Sequence, residues 1–250
     1  MSKDEKLTVL VLAAGKGKRM KSDIAKVLHE VAGRPMLSYV LDRTSELGAA
    51  RAIVVVGHKK ESVISMLPSG VGHAVQEPQL GTGHAVMCAE NLFRDTQGDI
   101  LILYGDVPLI TTPTIRSLLE NHRTASNSGT ILTAVLDEPA GYGRIVRKAE
   151  GGVDSIVEHK DAGPEELAIK EINTGICCFK IADLLAVLTE IKDDNAQGEY
   201  YITDAVGLMR SRGMRVGAVV AANPAETEGI NTEEQRAAAE IAMKNSSGGN

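Results

Sequence analysis

The sequence predicts an α/β protein: a doubly wound, mostly parallel sheet, joined to a second lobe of mixed strands. Two observations predict the first part. Short apolar runs alternate with amphipathic segments, and several of these runs are apolar throughout, as in strands buried on both faces. A third observation predicts the lobe, because from Thr130 onward strand-like runs follow one another with few helical segments between them.

The first half contains three predicted buried strands and one shorter strand. These predicted strands cover residues 8–14, 52–57, 73–76 and 99–106. Helical spacing of apolar residues predicts the helices between and after them. In the first of these helices Pro35 suits the opening turn and Gly48 the C-terminal stop, and in the last Thr112 is the predicted N-cap. The predicted helices cover 35–48, 61–67, 83–93 and 112–122.

The second half begins with four strand-like runs and ends in helices. The runs are TILTAVL, RIVRK, DSIVEH and INTGICCFKI, and a later strand is RVGAVVA at 215–221. Helices are expected at 181–192, 203–212 and 232–244, and the final residues SSGGN are expected to form a disordered tail. We therefore divide the chain into a main domain, 1–231, and a C-terminal helix with its tail, 232–250.

Composition excludes several classes of protein. Lys+Arg 27 against Asp+Glu 33 gives a net charge of −6, and aromatic residues are only 3%, so a general nucleic-acid binder is not expected. No apolar run approaches the roughly 18–20 residues that cross a bilayer, and the N-terminus lacks the pattern of a signal peptide. Three cysteines without a CxxC pair fit a reducing compartment, so the expected location is cytoplasmic, away from membranes.

The loop after the first strand, AAGKGKRMKSDIAK, has the composition of an anion site. Ala13, Ala14 and Gly15 are small enough for a ligand to approach the backbone. Gly15 and Gly17 permit unusual dihedral angles, so that consecutive backbone amides can converge on an anion. Five cations lie within eleven residues of a chain that is acidic overall: Lys16, Lys18, Arg19, Lys21 and Lys26. This combination suits a polyphosphate. The alternative is an ordinary strand-to-helix turn with a solvated basic face.

Two common nucleotide motifs do not match this loop. A P-loop requires GxxxxGK[ST], which GKGKRMKS does not supply. A dinucleotide fingerprint requires a third glycine where Met20 stands, and an acidic residue at the end of the second strand, which instead ends in Gly57 and His58.

A carboxylate follows the third apolar run. Asp106 is expected at the carboxyl edge of the sheet, facing the same crevice as the glycine loop, and it suits Mg²⁺, which prefers hard oxygens. The alternative is that it simply starts a turn. The GTGH stretch at 81–84 suits either ligand contact or helix capping, the six histidines show no metal-ligand spacing, and no GxSxG elbow indicates a hydrolytic triad.

Several strings carry a family resemblance. LAAGKGKRM…AKVL resembles the signature of sugar nucleotidyltransferases, and QLGTGHA, LYGDVPL, GYGRI, IVEHKDA, EINTGI, NAQGEYYITD and EGIN follow in the same order. Together they resemble the uridylyltransferase (pyrophosphorylase) domain of the bacterial bifunctional UDP-N-acetylglucosamine pyrophosphorylase/glucosamine-1-phosphate acetyltransferase. The likeness runs from about residue 7 to about 232, and it implies a Rossmann-like nucleotidyltransferase fold whose mixed-strand lobe binds the sugar.

The chain departs from that family in three ways. Lys18 stands where the family usually has Thr, and Ala25 precedes Lys26 where Pro is common. The bifunctional members also continue into a β-helix of hexapeptide repeats that carries acetyl transfer. This sequence stops at Asn250 without one such repeat, so acetyltransferase activity is not expected of it.

The resemblance implies a reaction and its residues. The phosphate of N-acetylglucosamine 1-phosphate attacks the α-phosphorus of UTP with Mg²⁺ as cofactor, releasing pyrophosphate and supplying a cell-wall and lipopolysaccharide precursor. Arg19, Lys26 and Asp106 would be catalytic, and Asp106 and Asn231 would hold the metal. Substrate contacts would come from Leu12, Ala13, Ala14, Gly15, Lys26, Gln76, Gly81, Thr82, Tyr104, Gly105, Asp106, Gly143, Glu158, Asn173, Thr203 and Asn231.

Two alternatives stay open. The enzyme could use another sugar 1-phosphate or another nucleotide, or the chain could be a noncatalytic nucleotide-sugar-binding module, against which the intact cations, Asp106 and Asn231 argue. The expected partners are the small-molecule substrates alone, without nucleic acid or membrane. The sequence leaves the oligomeric state open.

Overall fold

A computed structural model describes residues 6–20, 22–148 and 151–247 of the chain. Lys21 of the predicted basic loop and the last three residues of the predicted tail lie outside the described residues. Within the described residues the strands are β1 Leu7–Ala13, β2 Glu30–Val31, β3 Arg34–Pro35, β4 Arg51–Val56, β5 Gly72–Val75, β6 Asp99–Tyr104, β7 Gly129–Val135, β8 Arg144–Arg147, β9 Val153–Val157, β10 Glu171–Lys180 and β11 Val216–Val220.

One large sheet organises the fold, in the order β11-β7-β10-β6-β1-β4-β5. Strands β5, β4, β1 and β6 pair in parallel, and so do β7 and β11, whereas β10 runs antiparallel between β6 and β7. The chain leaves β1 toward β4 and β5 and then crosses back to β6 on the other side of β1. The end of β1 is therefore a topological switch point, where a crevice opens in folds of this type.

Helices cover both faces of the sheet. They are α1 Met36–Glu46, α2 Lys60–Ser65, α3 Thr82–Ala89, α4 Thr112–Thr124, α5 Pro164–Leu167, α6 Ile181–Leu188, α7 Asp204–Ser211 and α8 Glu233–Ser247. Leu10 and Leu12 of β1 belong to the core beneath α3, α6 and α7, whereas Val9 and Val11 belong to the core beneath α1, α2 and α4. This two-sided burial explains why β1 is apolar at nearly every position.

The predicted mixed lobe is a hairpin built on β10. Strands β8 and β9 pair antiparallel with each other, and Arg144 of β8 pairs with Ile172 of β10. Strand β10 itself carries an irregularity between Asn173 and Cys177, where Gly175 takes a φ of +86°. The fold class expected from the sequence is therefore confirmed.

Helix α8 lies beside the short hairpin formed by β2 and β3. Ala239 packs with Val31, Met36 and Ile230, and Arg236 donates to the carbonyl oxygen of Glu30 over 3.0 Å. Within the described part of the chain, every helix is too short or too polar to span a bilayer.

Several predicted boundaries were wrong. Thr111, not Thr112, caps α4, because its side chain accepts from the backbone amide of Thr114. Pro35 ends β3 and α1 begins at Met36, and the helix predicted to reach 192 ends at Leu188. The helix predicted over 83–93 becomes a 3₁₀ turn at Glu90–Leu92, and α8 extends through the first two residues of the predicted tail. The β2–β3 hairpin and α5 were not predicted from the sequence.

Candidate active site

The candidate site lies at the carboxyl ends of the parallel strands. Loops that follow β1, β5 and β6 meet there around a cavity of about 430 Å³. Ten of the predicted site residues line it, namely Leu12, Ala13, Ala14, Gly15, Lys26, Gln76, Gly81, Thr82, Tyr104 and Asp106. The remaining predicted residues lie outside this lining: Arg19, Gly105, Gly143, Glu158, Asn173, Thr203 and Asn231.

The glycine loop bends tightly so that Lys26 comes back over it. Gly17 has a φ of +58°, and a Cβ atom at this position would lie 2.7 Å from the Cβ of Lys26. Only glycine fits this combination of conformation and contact. Lys26 then opens a 3₁₀ turn at Lys26–Leu28, with its side chain 10% exposed, while Arg19 and Lys16 stay exposed.

Lys26 joins two residues that are far away in sequence. Its Nζ donates to Oδ2 of Asp106, 80 positions away, and to Oδ1 of Asn231, 205 positions away and 2.6 Å distant. Asp106 follows β6, and its side chain is 20% exposed. One ammonium group therefore lies between a carboxylate oxygen and a carboxamide oxygen at the edge of the cavity.

Asn231 is held in one orientation. Its Nδ2 donates to the carbonyl of Gly229 over 2.8 Å, and its backbone amide donates to Oε1 of Gln235 over 2.7 Å. This arrangement directs Oδ1 toward the cations, where Arg19 Nη2 also donates to it over 2.8 Å. The position of Asn231 thus depends on the first turn of α8, which contributes Gln235.

The two oxygens beside Lys26 fit a divalent metal ion. Carboxylate and amide oxygens are hard donors, and both converge on a single cation in the structure. Gly229 leaves space next to them, since a Cβ there would come within 3.6 Å of both Asn231 Nδ2 and Asp106 Oδ2. Asp106 and Asn231 are therefore the residues of this cleft that could hold such an ion together.

The opposite wall of the cavity is formed by the loop from β5 to α3. Gln76 is buried, and its Nε2 donates to the carbonyl of Gly81 over 2.8 Å and lies 3.2 Å from Nδ1 of His84. The hydroxyl of Thr82 accepts from the amide of Ile202 over 3.0 Å, and the amide of Gly83 donates to the carbonyl of Tyr200 over 2.7 Å. These bonds fix the loop against the segment that precedes α7.

Tyr104 and Gly105 connect the cavity to the second lobe. A Cβ at Gly105 would lie 3.0 Å from Cγ1 of Val27, so this glycine lets β6 approach the turn that carries Lys26. Gly175 of β10 likewise lies against the ring of Tyr104, where a Cβ atom would be too close to the ring. Burial raises the pKa of Tyr104 far above its usual range, and the charges of Glu158 and Asp106 add to that effect. Tyr104 therefore stays a neutral phenol between the two halves of the site.

Gly143, Glu158 and Asn173 of the mixed lobe form a second group with Thr203, which directly precedes α7. A Cβ at Gly143 would lie 3.2 Å from both carboxylate oxygens of Glu158, and Thr203 Oγ1 donates to Oε1 of Glu158 over 3.2 Å. The carbonyl of Gly143 accepts from the amide of Asn173 over 2.8 Å, while Asn173 Oδ1 accepts from the amide of Gly175. The four predicted residues are therefore neighbours.

Two carboxyl groups in and beside this second group, those of Glu158 and Asp204, have raised pKa values. Burial raises the pKa of Glu158, whereas the hydrogen bond from Thr203 lowers it. The negative charges of Asp204, Asp161 and Glu199 raise this pKa further. Burial, followed by the charge of Asp161, raises the pKa of Asp204 to about 6. The carboxylates around Glu158 thus make this part of the lobe acidic.

Some residues that line the cavity were not predicted from the sequence. Gln79 and Glu199 both line it, and Gln79 Nε2 also donates to the carbonyl of Gln76 over 3.2 Å. Both lie inside strings already used for the resemblance, so their position in QLGTGHA and NAQGEYYITD was the available signal. Lys16, Val27 and Ala85 complete the lining.

A second group of potential metal ligands lies near the amino end of β6, although no histidine spacing indicated a metal site. Asp99, His122 and Cys178 are buried, with ligand atoms all within 4.8 Å of one another. Arg123 Nε donates to Asp99 Oδ2 over 2.9 Å, and His122 lies 3.5 Å from Asp99 Oδ1. The carboxylate is thus already paired with a guanidinium, and burial raises the pKa of Cys178 well above its usual range. Both features disfavour a metal there.

The fold and the cleft define the class of protein. The sheet is doubly wound, and a basic glycine loop follows β1 at its switch point. The side-chain oxygens of Asp106 and Asn231 lie beside that loop. This is the arrangement of a nucleotidyltransferase. The chain belongs to the family described as the MobA-like NTP transferase domain, whose model matches residues 9–158.

Comparison with curated proteins gives closely similar relatives. The chain is 49% identical over 235 residues to "Bifunctional protein GlmU" of Acetivibrio thermocellus, covering 94% of this chain and 51% of that protein. It is 50% identical over 240 residues to the protein of the same name from Caldanaerobacter subterraneus subsp. tengcongensis, covering 96% of this chain and 52% of that protein. The chain therefore spans about half the length of the curated relatives it matches, and the family resemblance stated from the ordered motifs is confirmed.

Solved structures show the same fold at low sequence identity. A UDP-glucose pyrophosphorylase solved with UDP-glucose superposes with a TM-score of 0.76 at 17% identity, covering 96% of this chain and 99% of that one. A putative glucose-1-phosphate thymidylyltransferase from Bacillus anthracis superposes with a TM-score of 0.74 at 19% identity, covering 94% of each chain.

Proposed function

We propose that this chain is a Mg²⁺-dependent uridylyltransferase. It joins UTP and N-acetylglucosamine 1-phosphate to form UDP-N-acetylglucosamine and pyrophosphate. The observation that carries the proposal is the meeting of Lys26, Asp106 and Asn231 beside the glycine loop, at the mouth of a cavity large enough for a nucleotide. The relatives at about half identity, which are named as GlmU proteins, support the choice of substrates.

The proposed reaction requires little acid–base chemistry. An oxygen of the sugar phosphate attacks the α-phosphorus of UTP, a new P–O bond forms, and the bond to the β-phosphate oxygen breaks so that pyrophosphate leaves with the electron pair. The nucleophile is already an anion, so no general base is needed. The protein must instead position two anions and offset their repulsion.

The cavity supplies the nucleotide contacts in this proposal. Leu12 to Gly15 would line the uridine and phosphates, with Arg19 and Lys26 on the triphosphate. Gln76 and the Gly81–Thr82 backbone would read the uracil edge, and Tyr104 and Gly105 would contact the nucleotide. The fixed hydrogen bonds of Gln76 support this role, because a recognising amide must be held in one orientation.

The second lobe supplies the sugar contacts. Glu158 would accept from sugar hydroxyls, with Gly143 leaving room beside it, and Thr203 would lie near the sugar phosphate. Asn173 Oδ1 already accepts from Gly175, so its Nδ2 is the atom proposed to donate to the sugar. The negative charge around Glu158 supports a ring of neutral hydroxyl and amide groups at this position.

Asp106 and Asn231 would hold the Mg²⁺ ion. When bound there, the ion would offset the repulsion between the two substrates and stabilise charge on the leaving pyrophosphate. Arg19 and Lys26 add positive charge from the protein on the same side. Small-molecule substrates are the only partners in this proposal, and the free thiols of all three cysteines support a reducing, cytoplasmic setting for the supply of cell-wall and lipopolysaccharide precursors.

A coupled pyrophosphate-release assay tests the proposal. UTP would be combined with N-acetylglucosamine 1-phosphate, glucose 1-phosphate or galactose 1-phosphate, and the other nucleoside triphosphates with the first sugar, each with Mg²⁺ or with excess EDTA. We expect release only with Mg²⁺, and most rapidly with UTP and the N-acetylated sugar. A faster rate with another pair would reassign the substrates. Nucleotide binding by calorimetry without release from any pair would instead indicate a noncatalytic module.

A further inference from the structure

Lys26 occupies the point at which a metal ion would bind. Its Nζ contacts Asp106 Oδ2 and lies 2.6 Å from Asn231 Oδ1, the two oxygens that suit the ion. A Mg²⁺ ion shared by the same oxygens would need each of them at about 2.0–2.1 Å. Ammonium and metal cannot both fit between these oxygens.

The second oxygen is also fully engaged. Asn231 Oδ1 accepts from Lys26 and, over 2.8 Å, from Arg19 Nη2. A carbonyl oxygen has two lone pairs, so a metal ion approaching Asn231 must displace at least one of these cations. The bond from Asn231 Nδ2 to Gly229 keeps the carboxamide from rotating to offer another atom.

We infer that Lys26 is a tethered cation that fills the metal position until nucleotide arrives, so that the metal ion binds weakly to the free protein and strongly together with the triphosphate. This inference rests on the proposed function, because it uses the triphosphate as the anion that draws Lys26 away from Asp106. Coupling of this kind is reciprocal: the nucleotide strengthens metal binding by the same factor as the metal strengthens nucleotide binding.

The arrangement has a physical consequence for the protein before nucleotide binds. Asp106 is only 20% exposed, and without a partner its carboxylate would be partly desolvated and uncompensated. Lys26 supplies the compensating charge in the free protein, and the metal ion supplies it in the complex, when Lys26 pairs with phosphate instead. The cleft is thus kept near charge balance in both states.

Metal titration without nucleotide tests this directly. Mn²⁺ would be added to the wild-type protein and to Lys26→Met, and free Mn²⁺ followed by its paramagnetic resonance signal. We expect Lys26→Met to bind one Mn²⁺ roughly tenfold or more tightly than wild type, because a positive charge has been removed from the binding point. The added site should disappear in Lys26→Met combined with Asp106→Asn.

Lys16→Met is the matched control. Lys16 lines the same cavity and is exposed, so its loss removes one positive charge from the cleft without vacating the metal position. We expect it to change Mn²⁺ affinity by less than about threefold, since exposed charges are screened. Equal affinities for wild type and Lys26→Met, or an equal gain from Lys16→Met, would overturn the inference.

Two further measurements keep the test decisive. If Lys26→Met does not fold, Lys26→Gln removes the charge while keeping a donor. In addition, wild-type crystals soaked with Mn²⁺ alone should show no anomalous peak between Asp106 and Asn231, and a peak there with Lys26 in place would reject the inference. The Mn²⁺ titration requires no turnover, so failure of the pyrophosphate assay would leave this result standing. If the enzyme is active but wild type and Lys26→Met bind Mn²⁺ with equal affinity, the role of Lys26 is rejected and the proposed function is kept.

Discussion

Gly143 lies directly against the carboxylate of Glu158, close enough that a Cβ atom would meet both of its oxygens at 3.2 Å. The two residues face each other across the β8–β9 hairpin, where Gly143 precedes β8 and Glu158 follows β9. Alanine at 143 would therefore push the carboxylate aside without straining the backbone.

We predict that Gly143→Ala raises the KM for the sugar phosphate about tenfold while the KM for UTP changes much less, since only the second lobe is disturbed. Steady-state kinetics with each substrate varied in turn would measure this. Gly152→Ala is the control, because a Cβ at Gly152 meets no atom within 4 Å. Equal increases in both KM values would argue against a sugar site at Glu158.

Gly81→Ala should both destabilise the fold and weaken UTP binding. Gly81 has a φ of +107°, and its Cβ would lie 2.5 Å from the carbonyl oxygen of Tyr200. Backbone strain and overpacking together predict a loss of about 2–4 kcal/mol in the free energy of unfolding, measured by urea denaturation.

The matched control for this substitution is Gly48→Ala. Gly48 also has a positive φ, +68°, but its Cβ would meet nothing within 4 Å. The loss in the free energy of unfolding of Gly48→Ala should therefore come from backbone strain alone, about 1 kcal/mol. Equal losses at the two positions would mean that the contact with Tyr200 does not determine the conformation of the β5–α3 loop.

Asp204→Asn should stabilise the protein at high pH. Burial holds the pKa of Asp204 at about 6, against a usual value of 3.8. As pH rises, this carboxyl ionises first in the unfolded chain, near pH 4, and in the folded chain only near pH 6. Stability is therefore lost between these values and stays lost above them.

The substitution removes that loss. We expect the stability of Asp204→Asn relative to wild type to be about 1 kcal/mol greater at pH 7.5 than at pH 4, after allowing for solvent screening of a half-exposed group. Urea denaturation at the two pH values measures the difference. Asp183→Asn, in the first turn of α6, provides the baseline for losing a helix-terminal carboxylate. A relative stability independent of pH would contradict the prediction.

Asp106→Asn should abolish turnover. The change removes the carboxylate expected to hold the metal and also the partner of Lys26, so pyrophosphate release should fall by about three orders of magnitude or more. Asp42→Asn removes an exposed carboxylate paired with Arg34 and should leave the rate near wild type. Release within about tenfold of wild type for Asp106→Asn would exclude Asp106 from the reaction.

Long apolar segments were the best-predicted part of the fold. The runs that became β1, β4 and β6 were located within two residues, because burial on both faces requires apolar side chains at nearly every position. Short elements were not predicted. The β2–β3 hairpin has two residues in each strand and turns through Ala32 and Gly33, both at positive φ, so its periodicity is too brief to read.

Helix ends were located less accurately than helices. At the start of α4 both Thr111 and Thr112 have a side chain suited to capping, and composition does not distinguish them. The choice depends on which hydroxyl reaches the amide of Thr114, and Thr112 instead donates to Glu46 in α1. A tertiary contact therefore decided a local boundary.

The amino-acid sequence alone determined the long strands and most of the helices, the basic glycine loop and the carboxylate at the end of β6, because each follows from residues that are close together in the chain. Only the tertiary structure decided that Lys26 bridges Asp106 and Asn231, since these residues belong to segments 80 and 205 positions away from it. Their meeting depends on how β6 and α8 pack around the first loop. A side chain's partner at such separations is determined by packing geometry, and local residue preference carries no information about it.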